Sequence, residues 1–146
     1  MASNIHMASV IMPLNSRKEM LLQQKDIGYP WNPNQWCFFG GGFEDGETPE
    51  AALRREMGEE IGHIKLLENF FEFGKFPFFD VSVNGKYREG FMHVYSADFV
   101  GNASDIRLKE GKGFTFLSRQ EMDKYDIVWH NRRVINAYYD SLLLKP

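Results

Sequence analysis

The sequence predicts an α/β (α+β) domain in which short strands are interrupted by one central helix and closed by a second at the C-terminus. Three observations carry that reading. Short apolar runs such as Val10–Leu14 and Trp36–Phe39 are bounded by polar and turn-forming residues, as strands are. Thr48-Pro49-Glu50 is a helix start, with a side chain able to cap free backbone N–H groups and a proline suited to the first turn. Val134, Ile135, Tyr138 and Leu142 share one helical face, so the C-terminus reads as an amphipathic helix packed on the sheet.

Taken in order, residues 1–8 read as a disordered start or an appended remnant, and 9–146 as a single domain. A length of 146 residues supports one hydrophobic core. Strands are expected at Val10–Leu14, Glu19–Gln23 and Trp36–Phe39, with a loop at 29–34 built from Tyr-Pro-Trp-Asn-Pro-Asn. The helix from Pro49 should end near Gly62. Leu66–Phe79 reads as extended, and Asn84-Gly85 predicts a two-residue hairpin joining Asp80–Val83 to Lys86–Val100. Gly113–Leu117 is a further strand, and Ser118-Arg119-Gln120-Glu121 has the spacing of a capping box that opens a short helix.

Composition excludes several classes of function. Apolar residues make up 43% and charged residues 25%, which is not the balance of a disordered chain. No apolar run approaches the roughly 20 residues of a membrane-spanning helix, and no export signal is visible. A single cysteine, Cys37, cannot form an internal disulfide, which points to the reducing cytoplasm. The net charge of −3 is uneven: seven acids stand against two bases between Glu44 and Glu60. That density repels nucleic-acid backbones and attracts cations, so general nucleic-acid binding is not expected and a metal is.

At about 100° per residue, with Leu53 as zero, Met57 and Ile61 fall near 40° and 80° and form the core stripe of the central helix. Glu60 then lies near −20°, Glu56 near −60° and Glu59 near −120°, beside that stripe. Glu56 and Glu60 are one turn apart, where like charges repel, and a divalent cation would remove the penalty. The segment before this helix, Gly40-Gly41-Gly42-Phe43-Glu44-Asp45-Gly46-Glu47, reads as a loop that offers carbonyl and carboxylate oxygens of the kind magnesium takes alongside phosphate oxygens. A phosphate-bearing substrate is therefore implied.

From Gly41 to His63 the chain resembles the Nudix hydrolases (MutT-like), whose box reads G-x5-E-x7-R-E-U-x-E-E-x-G-U with U aliphatic. The match runs through Gly41, Glu47, Arg55, Glu56, Met57, Glu59, Glu60 and Gly62. Two positions depart: His63 stands at the final aliphatic place, with Ile64 next to it as the packing residue, and Phe39 stands where many members have proline. The resemblance implies the Nudix fold, a mixed β-sheet sandwiched between helices, and hydrolysis of a nucleoside diphosphate linked to another group X. By the same resemblance, Glu56, Glu59, Glu60 and the Gly41 carbonyl would hold Mg²⁺, with Mn²⁺ as a substitute. Arg55 would orient a box glutamate, Glu47 would brace the loop, and the general base would be Glu59 or Glu110, the latter also a candidate ligand. One to three Mg²⁺ would neutralise the diphosphate and lower the pKa of the attacking water.

Outside the box, Trp31 is the candidate for stacking a nucleobase, with Phe43 beside it, whereas Trp36 reads as structural. Arg17 and Arg88 are candidates for substrate phosphate, although each also reads as a solvated surface charge. His63, His93, His130 and Cys37 read as structural. The expected substrate is a nucleoside triphosphate, ordinary or oxidised, with ADP-ribose, dinucleoside polyphosphates and sugar nucleotides as alternatives. A nucleotide-sensing or interaction domain is disfavoured because it gains nothing from the repelling glutamates. An isoprenoid diphosphate isomerase needs a catalytic cysteine, and Cys37 sits in the wrong context. The Phe-rich stretch 69–79 offers a surface for a homodimer.

Overall fold

The computed structural model describes residues 5–61, 64–108 and 111–144. Seven strands form one mixed sheet: β1 (Ile5–Leu14), β2 (Met20–Gln24), β3 (Trp36–Cys37), β4 (Phe39–Gly42), β5 (Leu67–Val81), β6 (Tyr87–Phe99) and β7 (Gly113–Leu117). Helix α1 (Pro49–Glu60) and helix α2 (Trp129–Leu143) cover its two faces. The main path runs β3-β2-β1-β6-β5, with β4 paired to β1 and β7 to β2.

Strand β1 is the hub, and it shows why the alternation of side chains sets the layers. It runs parallel to β6 from Ile5↔Glu89 to Leu14↔Asp98 and antiparallel to β4 from Ala8↔Gly42 to Ile11↔Phe39. Val10, Met12 and Leu14 point toward α2 and pack with Val134 and Ile135, while Ile11 points toward α1 with Leu53, Met57 and Ile61. Leu21/Leu22 and Phe38/Phe39 divide the same way. The stripe Leu53, Met57, Ile61 is fully buried, as its 3.6-residue spacing requires.

The boundaries differ from the sequence reading at several places. Strand β1 begins at Ile5 rather than Val10, so Ile5–Ala8, set aside with the start, are paired to β6. Trp36–Phe39 is two strands rather than one. The chain leaves β2 for β1 at Phe38, whose N–H is taken by Asn131 Oδ1 at 2.9 Å. The glycines expected in a loop lie instead in β4, and Gly40, at φ 140°, passes so close to β1 that a Cβ there would sit 2.7 Å from Val10 Cα. The hairpin loop is wider than two residues, because Ser82 Oγ binds Asn84 Oδ1 at 2.8 Å and the Lys86 N–H at 2.9 Å. The Ser118–Glu121 capping box forms reciprocally, at 2.9 and 3.2 Å, yet opens a 3₁₀ turn over Glu121–Lys124. Leu142, expected on the packed face, is 39% exposed near the end of α2. The His63 departure, the role assigned to the Ile64 side chain, and Glu110 lie outside the described residues.

Helix α1 starts where expected: Thr48 Oγ1 accepts the Ala51 N–H at 3.2 Å, and Pro49 occupies the first turn. Ser9 Oγ donates to the Pro49 carbonyl at 2.7 Å and ties that turn to β1. No helix among the described residues is long and apolar enough to cross a membrane.

Candidate active site

Two clusters meet at β4, an acidic one under α1 and a cavity on the α2 side. The acidic cluster is organised by Arg55. Its Nε and Nη2 engage both Glu47 oxygens at 2.8 and 2.9 Å, and Nη2 also donates to the Gly42 carbonyl at 2.9 Å. Its Nη1 reaches Glu56 Oε1 at 2.9 Å and both Glu59 oxygens at 3.4 Å. A planar fork of donors suits such bidentate contacts, which lysine cannot copy. The Arg55 hydrogen bonds, helped by the Glu44 N–H at 2.6 Å, pull the Glu47 carboxyl down to about 2. Arg55 itself is held above the ordinary arginine value, chiefly by Glu47.

Glu56 lies against Gly41, where any Cβ would stand 2.6 Å from its Oε1, so only glycine admits that carboxylate beside the backbone. Glu60 is 2% exposed. Its Oε1 accepts the Gly40 N–H at 2.8 Å and its Oε2 accepts Gln23 Nε2 at 2.7 Å. Burial pushes its carboxyl up to about 7 despite the opposing charge of Lys25 and these two bonds. Glu59 stands at the solvent edge, 55% exposed. The glutamates are thus spread around Arg55 and Gly40, and among the described residues no three His, Cys, Asp or Glu side chains converge on one point. The set nevertheless fits a hard dication: it is made of oxygen donors, it borders the Gly41 backbone, and its buried member carries a desolvation penalty that a cation would relieve.

On the other face of β4 lies a cavity of about 260 Å³, lined by Gly40–Gly42 on one side and by Trp31, Phe78, Asp80, Arg88 and His130 on the other. A chain of hydrogen bonds builds it. The Phe38 N–H fixes Asn131 Oδ1, so Asn131 Nδ2 faces His130 Nδ1 at 3.0 Å. That ring nitrogen accepts, and His130 Nε2 carries the proton toward Asp80 Oδ1 at 2.8 Å. Asp80 Oδ2 takes Arg88 Nη2 at 3.0 Å and Nε at 3.2 Å. Burial alone would raise the Asp80 carboxyl, but the hydrogen bonds from His130, Asn32 and Arg88 hold it below the usual carboxylate value. The Arg88 guanidinium lies 4.1 Å from the centre of the Trp31 ring. His6 packs against Gly42 at the cavity mouth, and burial together with the Arg88 charge lowers its pKa.

Of the residues picked out from the sequence, Gly41, Glu47, Arg55, Glu56, Glu59 and Glu60 stand together, and Arg88 lies over the Trp31 ring in the cavity lining. Phe43 packs against His93 in a tilted pair with ring centres 5.7 Å apart and does not line the cavity. Arg17 lies in the turn after β1, also away from the cavity lining. Trp36 packs edge-on to Tyr125. Sequence reasoning passed over His6, Asp80 and Asn131 and read His130 as structural. The available signal was parity: along β5, Phe78, Asp80 and then Ser82 are buried while Phe79 and Val81 are exposed, which puts a carboxylate on a core-facing position.

The NUDIX domain family matches residues 5–138. The chain is 30% identical over 107 residues to a nucleoside triphosphatase NudI of Escherichia fergusonii, a similarity spanning 71% of this chain and 76% of that relative. Among solved structures, a MutT protein from Methanosarcina mazei Go1 shares the fold with a TM-score of 0.72 at 17% identity, over 99% of both chains. The E. coli dihydroneopterin triphosphate pyrophosphohydrolase does so with a TM-score of 0.72 at 17% identity, over 90% of this chain and 93% of that one. With a family match spanning nearly the whole described fold and a mixed sheet held between two helices as in MutT structures, the chain belongs to the NUDIX family of hydrolases that act on pyrophosphate bonds.

Proposed function

We propose that the protein is a Mg²⁺-dependent pyrophosphohydrolase of nucleoside triphosphates. The observation that carries this is the back-to-back arrangement at β4, where a glutamate-rich cluster and a cavity of about 260 Å³ share the Gly40–Gly42 backbone. A phosphate chain lying along those glycines would have the carboxylates on one side and room for a nucleoside on the other. The naming of the relative NudI as a nucleoside triphosphatase supports the same substrate class.

Glu56, Glu59, Glu60 and the Gly41 carbonyl would hold Mg²⁺, which when bound supplies charge neutralisation of the phosphates and activation of water. The chain's own groups do the rest. Arg55 holds Glu56 in place through Nη1 and ties Glu47 to the Gly42 carbonyl, so the carboxylates and the glycine strand move as one unit. Gly40 N–H and Gln23 fix the Glu60 carboxylate from both sides. Glu59, the most solvent-accessible of the three, or Glu110 would accept the proton of the attacking water. Charge stabilisation on the leaving phosphate, rather than its protonation, would contribute most. A reducing cytoplasm suits the lone Cys37, whose thiol burial pushes up to about 12.

A release assay for phosphate and pyrophosphate tests this reading. The panel holds nucleoside triphosphates, ADP-ribose, dinucleoside polyphosphates and sugar nucleotides, with Mg²⁺ or Mn²⁺ present. Triphosphates should turn over best, and Glu60→Gln should lower kcat by about 10³. Equal turnover by that variant would remove Glu60 from the chemistry.

A further inference from the structure

Among the described residues one carboxylate lines the cavity, and it is fully spent. Asp80 accepts four hydrogen bonds, from Arg88 Nε and Nη2 on Oδ2 and from His130 Nε2 and Asn32 Nδ2 on Oδ1. The Asn131 carbonyl oxygen is committed to the Phe38 N–H. Arg88, by contrast, keeps Nη1 without a hydrogen-bond partner among the described residues, and its plane is fixed between Asp80 and the Trp31 ring at 4.1 Å. Among the described lining residues, a ring entering this cavity meets this donor-only group and no carboxylate free to receive an exocyclic amine.

We propose that Arg88 reads the base of the bound nucleotide by donating from Nη1 to the keto oxygen at position 4 of a pyrimidine or position 6 of a purine. On this account 4-keto pyrimidines and 6-keto purines are preferred over their 4-amino and 6-amino counterparts. The inference rests on the triphosphate hydrolase reading above and adds the base class to it. Guanidinium donors pair well with a keto oxygen, whereas an amino group in its place leaves two donors facing each other in a desolvated site. Phosphate is the weaker occupant for this arginine, because Asp80 at 3.0 Å already neutralises its charge and leaves direction rather than net charge on offer. His130, whose Nε2 meets Asp80, is a positioning residue that keeps the carboxylate, and through it Arg88, in register.

The test is titration calorimetry of hydrolysis-resistant α,β-imido analogues of UTP, CTP, GTP and ATP. It uses the wild-type protein, Arg88→Leu, and the double variant Asp80→Asn/Arg88→Leu, which leaves no buried charge unpaired. In the wild type the UTP and GTP analogues should bind on the order of 10-fold more tightly than those of CTP and ATP. Both variants should lose that preference by weakening the keto pair to the level of the amino pair. Equal affinities in the wild type, or an equal loss across all four nucleotides in both variants, overturns the inference and makes Arg88 a phosphate or packing residue. Turnover of the four triphosphates separates the two readings. Hydrolysis without keto preference defeats the base assignment alone, and absence of both binding and hydrolysis for all four defeats the hydrolase reading with it.

Discussion

The two sides of β4 are built in different ways. Under α1, Arg55 contacts Glu56 and Glu59 on its own helix and Glu47 only eight residues away, so the cluster is written in one continuous stretch of chain. Across the strand, Asn32, Asp80 and His130 come together from positions 48 and 50 residues apart. Both sides bury one carboxylate with its oxygens satisfied, Glu60 on the acidic side and Asp80 in the cavity. The acidic side adds Glu59 at the solvent edge and Glu47 and Glu56 around one arginine, whereas Asp80 is the hub of a network of Arg88, His130 and Asn32. The difference is one of assembly: the contacts of Arg55 are local in sequence, whereas the cavity exists only once distant strands and α2 have come together.

That contrast can be broken from the cavity side first, where the largest effect on stability is expected. Asp80→Ala leaves Arg88 and the 7% exposed His130 without their shared partner and should cost about 3 kcal/mol in urea unfolding at pH 7. Because the folded-state Asp80 carboxyl titrates below its ordinary value of about 3.9, its contribution is complete above that pH and is lost as pH falls through the depressed value. The gap between wild type and variant should therefore narrow in acid, and a gap that widens below pH 4 would mean Asp80 is not held ionised. On the acidic side, Glu47→Gln weakens the fork that holds Arg55 and should lower kcat by about 10-fold through the misplaced Glu56, with little change in the urea midpoint. A large loss of stability in that variant would erase the distinction between the two sides.

Much of the acidic side was legible in the sequence because its contacts follow helical spacing. Thr48 caps α1, Leu53, Met57 and Ile61 are buried, and Glu56, Glu59 and Glu60 fall beside them. What spacing could not show was the neighbour across the sheet. The glycines enter β4 rather than a loop because β1 offers its edge, and the crossing at Phe38 depends on Asn131, 93 residues further on. Ile5–Ala8 pair with β6 for the same reason, which brought His6 to the cavity mouth from a segment with no local pattern. Arg88 and Trp31 were singled out separately, and only the fold puts one over the other.

The most direct test of the division at β4 is a crystal structure with Mg²⁺ and an α,β-imido nucleoside triphosphate. The account predicts metal on Glu56 and Glu60 beside the Gly41 carbonyl, phosphates along Gly40–Gly42, and the base ring in the cavity against Arg88. A nucleotide bound with its base outside that cavity, or phosphates held away from α1, would contradict it.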